Sequence, residues 1–210
     1  QEMRILRGPA WVMEWAPETS VDLSPQAQLL LEHVYHDDPV FKAAAADALM
    51  LSEMDGMDGD MAGNRAKLGE ADRVADFAAE RLRGATRLAA FSLTGWDTHK
   101  TQAKGLDRAL GRLARVVLRL QQGLGPDIWG KTALLAMTEF GRTVAENGTG
   151  GTDHGTAGAM LVAGGAVRGG KVYGTWPGLA EADLFMRRDL MPTSDVRAWA
   201  AHAMRGLYGF

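Results

Sequence analysis

The sequence predicts an α/β fold with a mixed, mostly parallel sheet flanked by helices. Three short apolar runs have the length of buried strands, and they cover residues 88–94, 132–138 and 160–163. Between the first two runs, apolar residues recur at steps of four and three over residues 106–120, which is the period of one helix face. Gly and Pro end this helical pattern at 123–126. Strand, helix and strand in this order predict a βαβ unit.

The connections set the expected directions of the strands. A βαβ crossover is right-handed and makes its two strands parallel, so both strands end at the same edge of the sheet. No helical pattern lies between Gly141 and Gly158, so we expect the third strand to return antiparallel to the second. This arrangement brings the segments after the first two strands and the segment before the third strand to one edge.

The first part of the chain is predicted to be helical. Ser24-Pro25 and Asp38-Pro39 are typical helix starts, and a further helix is expected over about 67–83. The segment 55–61 is rich in Asp and Gly. We interpret it as a solvated loop, because its spacing does not match a calcium-binding EF-hand.

The end of the chain predicts one more helix and completes the domain. A helix is expected over Val196–Leu207, capped within Thr193-Ser194-Asp195, with Trp199 and other apolar side chains packing on the sheet. We therefore expect a mainly helical segment over residues 1–84 that packs on an α/β portion over residues 85–210. Together they would form one domain.

Composition narrows the classes of function. The chain has 210 residues, of which 46% are hydrophobic and 23% are charged, with a net charge of −3. These values are typical of a globular chain that can bury one core. Lys and Arg are spread without a basic run, which argues against a nucleic-acid partner. The apolar runs are far shorter than the ~20 residues of a membrane span, and the absence of Cys excludes thiolate ligands.

Three clusters carry the residues that can do chemistry. Asp97 and His99 follow the first predicted strand, Glu139 follows the second, and Asp153 and His154 precede the third. Because these positions share one edge of the predicted sheet, we expect the five side chains to lie close together. Imidazole and carboxylate ligands without thiolate fit zinc, manganese or iron. The sequence therefore predicts a divalent metal site, with zinc or manganese as the expected ion.

The spacing of Asp97 and His99 supports the metal site, but the candidate residues also have other common roles. Asp97 and His99 are two residues apart, so on an extended segment their side chains point to the same side and can bind one ion. An Asp in a Gly-rich loop also caps turns, however, and a lone His also packs or forms hydrogen bonds. Arg142 is either an anion clamp for a substrate oxygen or an ordinary surface arginine. The expected convergence of the three clusters favours the metal site.

The order of these motifs resembles a known family. The segments Gly-Trp-Asp-Thr-His-x-x-Gln, Thr-Glu-Phe-Gly-Arg, Glu-Asn-Gly, Gly-Thr-Asp-His-Gly and Gly-Gly-x-Val-x-Gly-Gly-x-Val-Tyr-Gly occur in this order. They are similar to those of the bacterial family called domain of unknown function 1501, a sulfatase-like branch of the alkaline phosphatase superfamily. The resemblance is strong over about 83–179 and looser on both sides. It implies an alkaline-phosphatase-like fold, of which this chain would be the carboxyl-terminal part.

The resemblance also implies a chemistry. In this superfamily, two metal ions bind at the carboxyl edge of the sheet, and a Ser, Thr or modified Cys attacks a phosphate or sulfate ester. By similarity, Asp97, His99 and His154 would bind one ion, and Glu139 would take the position of a ligand to the second. Relatives often carry Asp-His where this chain has Glu139-Phe140, which removes an imidazole from the second site. Relatives are also longer and carry the nucleophile in an amino-terminal half, so no nucleophile is assigned here.

Two functions of different classes follow from these expectations. The first is a metal-dependent hydrolase that acts on a small anionic phosphate or sulfate ester, with Arg142 as an anion clamp. The second is a non-catalytic binding or structural protein that retains a vestigial metal site, or no ion if the site is incomplete. For both, the resemblance implies an exported or periplasmic location. A truncated sheet would favour self-association or pairing with a missing amino-terminal half.

Overall fold

The computed structural model of the protein describes residues 12–13 and 68–209. Over the second range the chain is mixed α and β, which confirms the α/β class for the described residues. The helices are α1 (Glu70–Arg83), α2 (Gln102–Trp129) and α3 (Val196–Tyr208). The strands are β1 (Leu134–Ala136), β2 (Gly141–Arg142), β3 (His154–Gly155) and β4 (Leu161–Ala163), and a short 3₁₀ helix covers Glu181–Asp183.

The chain comprises two compact units, Gln1–Val74 and Ala75–Phe210. The two helices expected to begin near residues 24 and 38, and the loop expected over 55–61, lie outside the described residues. All the described strands and helices after α1 belong to the second unit. The expected joining of a helical segment and an α/β portion into one domain stays a prediction.

Helices α1 and α2 form where the sequence has its two longest helical patterns. Their buried residues are small or aliphatic: Ala75, Ala78, Ala79, Ala109, Val116, Leu120 and Leu124. The helices approach closely at Gly123, where an added Cβ would lie 2.7 Å from the Cβ of Ala79. One turn away, Arg119 donates to both carboxylate oxygens of Asp76, with 2.8 Å between Nε and Oδ1. Small side chains therefore let the two backbones come together, and an ion pair flanks the contact.

Replacing Gly123 with alanine is expected to destabilise this helix pair. Alanine in a helix usually stabilises a protein over glycine by roughly 0.5–1 kcal/mol, but overpacking a contact costs about 1–3 kcal/mol. Gly111 of the same helix is the matched control, because a Cβ there meets no atom within 4 Å. Urea unfolding should show a lower free energy of unfolding for Gly123→Ala and a higher one for Gly111→Ala. Equal stabilisation by both substitutions would contradict the close contact.

The end of α2 differs in detail from the expectation. Instead of stopping over 123–126, the helix breaks at Gly125, with φ 69° and ψ 170°, and resumes until Trp129. Pro126 opens the resumed turn, a position where its missing N–H has no intrahelical partner to lose. The Gly-Pro signal thus marks a kink. Although α2 has 28 residues, neither it nor any other helix within residues 68–209 has the length and apolar composition needed to cross a bilayer.

The described strands form two antiparallel pairs. β1 pairs with β4, with Leu135 opposite Val162. β2 pairs with β3, with Arg142 opposite His154. The antiparallel return of the third apolar run is therefore confirmed, and the loop from β2 to β3 carries the Gly-Thr-Asp-His-Gly motif into a hairpin.

The strand expected over 88–94 does not form. The backbone over 85–98 has no regular structure, and the side chain of Leu88 is 52% exposed. A strand needs a neighbour to bind its N–H and C=O groups, and within residues 68–209 no strand pairs with this segment. The βαβ unit and the mostly parallel sheet therefore have no counterpart in the described residues. An apolar run of strand length does not by itself specify a pairing partner.

Helix α3 begins where the sequence predicts. The side chain of Asp195 caps it by accepting a hydrogen bond from the backbone N–H of Arg197 at 2.9 Å. The expected packing of Trp199 on the sheet is not observed, because α3 has no buried residue. Trp199 instead donates from Nε1 to the hydroxyl of Ser194 at 3.0 Å, and its ring centre lies 6.0 Å from that of Tyr173.

Acidification is expected to weaken the start of α3. Hydrogen bonds from the side chain and the backbone of Arg197 lower the pKa of Asp195 from 3.8 to about 2. Because the folded-state pKa lies below the unfolded value, this cap contributes stability above pH 3.8 and loses it as the pH falls toward about 2. Asp195→Asn should keep the cap at neutral pH and remove this pH dependence, as thermal unfolding across the range would show. A variant with the wild-type pH profile would contradict the assignment.

Candidate metal centre

Two loops meet at the site. The first loop, residues 95–101, precedes α2, and the second loop, residues 143–153, joins β2 to β3. Gln102 links them, because its side-chain Oε1 accepts hydrogen bonds from the hydroxyl of Thr98 at 2.8 Å and from the hydroxyl of Thr152 at 2.5 Å. The backbone N–H of Thr152 also donates to the C=O of Thr98 at 3.2 Å. Both threonines are buried, so the hydrogen bonds among Thr98, Gln102 and Thr152 form a small polar core that holds the two loops together.

Glycine allows the two loops to approach this closely. A Cβ on Gly151 would overlap the backbone carbonyl groups of Thr98 and His99. On the hairpin, a Cβ on Gly155 would lie 2.6 Å from the carbonyl carbon of Arg142. The two glycines of the Gly-Thr-Asp-His-Gly motif therefore serve close backbone contacts on both sides of its Asp-His pair.

Three candidate ligand atoms converge between the loops. Oδ1 of Asp97 lies 3.0 Å from Nε2 of His99 and 3.0 Å from Nε2 of His154. The two Nε2 atoms lie 3.2 Å apart. Over residues 68–209, these three residues are the group of acidic and imidazole side chains that can hold an ion. We call the three atoms the metal triangle; all three side chains are between 44% and 67% exposed, so the triangle is open to solvent.

Asp153 orients one of these histidines. Its Oδ1 lies 2.9 Å from Nδ1 of His99. An ionised carboxylate only accepts hydrogen bonds, so Nδ1 carries the proton, and in the neutral ring Nε2 then keeps the lone pair that faces the metal triangle. Carboxylates commonly hold metal-binding histidines in this way. The predicted ligand Asp153 therefore occupies a supporting position behind His99.

Asn147 ties the two loops to this arrangement. Its Nδ2 donates to the backbone C=O of His99 at 2.9 Å and to Oδ1 of Asp153 at 3.2 Å. Its Oδ1 accepts from the backbone N–H groups of Thr149 at 3.0 Å and Gly151 at 3.1 Å. One amide side chain thus shapes the second loop and fixes both the backbone of His99 and the carboxylate that orients its ring.

Arg142 holds Asp97 in place. Its Nη2 donates to Oδ1 of Asp97 at 2.7 Å and to the C=O of Trp96 at 2.9 Å, and its Nη1 donates to the C=O of Thr152 at 2.9 Å. The side chain is 22% exposed. These contacts join both loops to β2 through one guanidinium group. The role of Arg142 as an anion clamp stays a prediction.

Neighbouring donors keep the two carboxylates ionised. The hydrogen bonds with His154 and then with Arg142 are the largest causes that lower the pKa of Asp97. A hydrogen bond with His99 is the largest cause that lowers the pKa of Asp153. Both groups are therefore in the charged form that binds a cation, or orients a ligand, throughout the neutral range.

Ring contacts pack against one side of the metal triangle. The ring of His154 lies 4.2 Å from that of Phe140 and 4.8 Å from that of His99, measured between centres. Phe140 thus limits the rotation of His154. Its neighbour Glu139 is exposed in the segment between β1 and β2. Within the described part of the chain, Glu139 is not among the residues whose ligand atoms converge.

Comparison with known families gives an independent result. A family model described as "Protein of unknown function (DUF1501)" matches residues 17–204. The chain belongs to this family. The match includes the metal triangle, its supporting residues and both loops of this DUF1501 chain. No curated protein and no solved structure gives a significant match.

Sequence reasoning identified the three converging residues of the DUF1501 chain and named Asp153 and Arg142 in other roles, but it missed two residues that support them, Gln102 and Asn147. Gln102 and Asn147 lie within the recognised motifs, but a neutral amide gives no sign of metal chemistry by itself. Asn147 stands in a Gly-rich loop, where an Asn that bonds to backbone groups is typical. Gly151 is visible in the sequence only as part of a motif; its close contact with the first loop requires the three-dimensional arrangement.

Proposed function

We propose that this DUF1501 chain binds one divalent ion at the metal triangle, and that it is the metal-binding part of a metal-dependent hydrolase of phosphate or sulfate esters. The observation that carries the proposal is the convergence of Asp97, His99 and His154, whose three ligand atoms are separated by 3.0–3.2 Å. The ester class comes from the resemblance to the alkaline phosphatase superfamily. Zinc or manganese is the proposed ion, and a small anionic ester is the proposed substrate.

The geometry and chemistry of the three atoms fit such an ion. Tetrahedral ligands at about 2.0–2.1 Å from a zinc ion lie about 3.3 Å from one another. The triangle has sides of 3.0 Å, 3.0 Å and 3.2 Å, so only a small outward shift is needed. Two imidazole nitrogens and one carboxylate oxygen suit zinc, manganese or iron. Three protein ligands also leave a coordination position for substrate, as in catalytic rather than structural sites.

Each supporting residue has a task in this proposal. A bound divalent ion would polarise an ester oxygen and stabilise the negative charge that develops during hydrolysis. Asp97, His99 and His154 bind the ion, Asp153 keeps the proton of His99 on Nδ1, and Arg142 fixes the carboxylate of Asp97. The open side of the triangle gives an anion access from solvent. The attacking nucleophile is assigned to no residue of this chain.

A second candidate function is an exported, non-catalytic binding or structural protein that retains the metal site. Two observations favour it: Arg142 binds three acceptors of its own protein, and Glu139 is not part of the converging group within residues 68–209. The exported location and the pairing with another chain or half rest on the resemblance. The alkaline-phosphatase-like sheet belongs to the same set of proposals.

Metal loading followed by an activity assay separates the two functions. The purified chain is loaded with zinc or manganese, dialysed, analysed for metal and assayed with p-nitrophenyl phosphate and p-nitrophenyl sulfate. We expect bound metal in the wild type and none in His154→Ala, and any hydrolysis, with water as the attacking group because no nucleophile is assigned to this chain, should depend on that metal. His202→Ala is the matched control, because His202 is an exposed histidine of α3 outside the metal triangle. Bound metal without hydrolysis would favour the binding protein, and a folded wild type without metal would overturn both functions.

A further inference from the structure

A second arginine contacts the backbone of a residue that contributes to the metal triangle. Nη2 of Arg188 donates to the backbone C=O of His154, one of the three triangle residues, at 3.1 Å. The side chain of Arg188 is 56% exposed, whereas that of Arg142 is 22% exposed. Arg188 therefore presents a largely exposed guanidinium group that is bonded to the backbone of a residue proposed to bind the ion.

Arg188 also keeps hydrogen-bond donors that the described part of the protein does not use. A guanidinium group carries five N–H donors. Besides the bond to His154, the contact of Arg188 is an ion pair in which Nη1 lies 3.3 Å from Oδ1 of Asp189. Within residues 68–209 that oxygen has no hydrogen-bond partner, so the ion pair is not a hydrogen bond. The N–H groups of Nη1 are therefore left for another acceptor. Arg142 differs, because its Nη2 makes two hydrogen bonds to protein acceptors.

A strained turn holds Arg188 in position. Met186 and Arg187 have φ values of 52° and 58°, in the left-handed region that side-chain-bearing residues rarely adopt. The turn over 185–189 is closed by a backbone hydrogen bond of 2.9 Å between its two ends, and the C=O of Arg188 accepts from the N–H of Val144 at 3.1 Å. Strain of this kind persists where the surroundings fix the backbone, and it is concentrated at binding sites.

The charges around the triangle favour an anion once an ion is bound. The carboxylates of Asp97, Asp153 and Asp189 and the guanidinium groups of Arg142 and Arg188 together carry a net charge of −1 when the imidazoles are neutral. A divalent ion would change this net charge to +1. Asp189 is buried behind the guanidinium group, with 6% exposure, so the positive charge faces the solvent.

We propose that Arg188 binds the anionic group of the substrate, a tetrahedral phosphate or sulfate oxyanion that contacts the ion of the metal triangle at the same time. This inference rests on the proposed function, because it needs an ion at the triangle. It assigns anion recognition to Arg188 and leaves Arg142 the task of positioning Asp97.

Binding of inorganic phosphate and of sulfate to the zinc-loaded protein tests this assignment. Arg188→Gln removes the charge and keeps an N–H donor for the C=O of His154. Arg187→Gln is the matched control, because this adjacent arginine is 80% exposed and loses the same charge. By calorimetry, we expect Arg188→Gln to lower the affinity for at least one of the two anions by about tenfold or more. Arg187→Gln should change the affinity little, and both variants should bind zinc as the wild type does.

The outcomes distinguish this inference from the proposed function. Wild-type anion affinity in Arg188→Gln, equal losses in both arginine variants, or no anion binding by the zinc-loaded wild type would overturn the assignment of Arg188 and leave the metal site standing. If Arg188→Gln loses zinc, Arg188→Lys decides: retained zinc with weakened anion binding supports the assignment, and lost zinc overturns it. A wild type that binds no zinc overturns the proposed function, and the inference falls with it.

Discussion

Replacing His99 with alanine is expected to abolish zinc binding at the metal triangle. The substitution removes one of three ligand atoms and leaves the carboxylate of Asp153 without the ring that it orients. Losing a residue that merely supports a ligand costs roughly 10–100-fold in metal affinity, so the loss of a ligand should exceed this range. Competition with a chromophoric chelator gives the affinity of each variant.

Two further variants show whether this loss is specific. Asp153→Asn keeps the size of the side chain and weakens the orientation of His99, so its zinc affinity should fall by roughly 10–100-fold. His202→Ala should bind zinc as tightly as the wild type. Wild-type zinc affinity in His99→Ala, or a larger loss in Asp153→Asn than in His99→Ala, would contradict the assignment of ligand and supporting residue.

Gly151→Ala is expected to separate the two loops and displace His99 from the metal triangle. The added Cβ would overlap the backbone carbonyl groups of Thr98 and His99. Backbone atoms cannot move away by a change of rotamer, so the first loop has to shift as a whole. We expect zinc affinity to fall as far as in His99→Ala, together with a lower melting temperature.

Gly148→Ala is the matched control for this prediction. Gly148 lies in the same loop, and a Cβ at that position meets no atom within 4 Å. Zinc titration and thermal unfolding should therefore give wild-type values for Gly148→Ala. Wild-type zinc affinity in Gly151→Ala would show that the loops adapt, and the close backbone contact would then not be a requirement of the site.

Local sequence patterns predicted those elements whose formation depends on a single segment of chain. The recurrence of apolar residues at helical steps predicted α1 and α2, because the residues that form the buried face of a helix all lie within one stretch of chain. The antiparallel return of β4 to β1 followed from the absence of a helix between them. The segment 88–94 was predicted wrongly as a strand, since its apolar composition expresses a tendency to be buried and says nothing of a pairing partner.

At the candidate site too, the sequence showed which residues could bind a metal but not how the fold brings them together. Asp97, His99 and His154 were visible in the sequence because their side chains suit metals. Their convergence was expected from a parallel βαβ unit, whereas in the structure a hairpin and the amide side chains of Gln102 and Asn147 bring the loops together. Each amide forms one of its bonds across a long stretch of chain, Asn147 to His99 across 48 residues and Gln102 to Thr152 across 50. No local pattern encodes such contacts.

Nitrogen NMR of the histidine rings during zinc addition tests the metal triangle most directly. At one equivalent of zinc, we expect the Nε2 resonances of His99 and His154 to move to metal-bound values, while Nδ1 of His99 stays protonated by its bond to Asp153. The ring of His202 should not change. Unchanged Nε2 resonances of His99 and His154 in the folded protein, or zinc binding that shifts only other residues, would contradict the metal centre proposed for this DUF1501 chain.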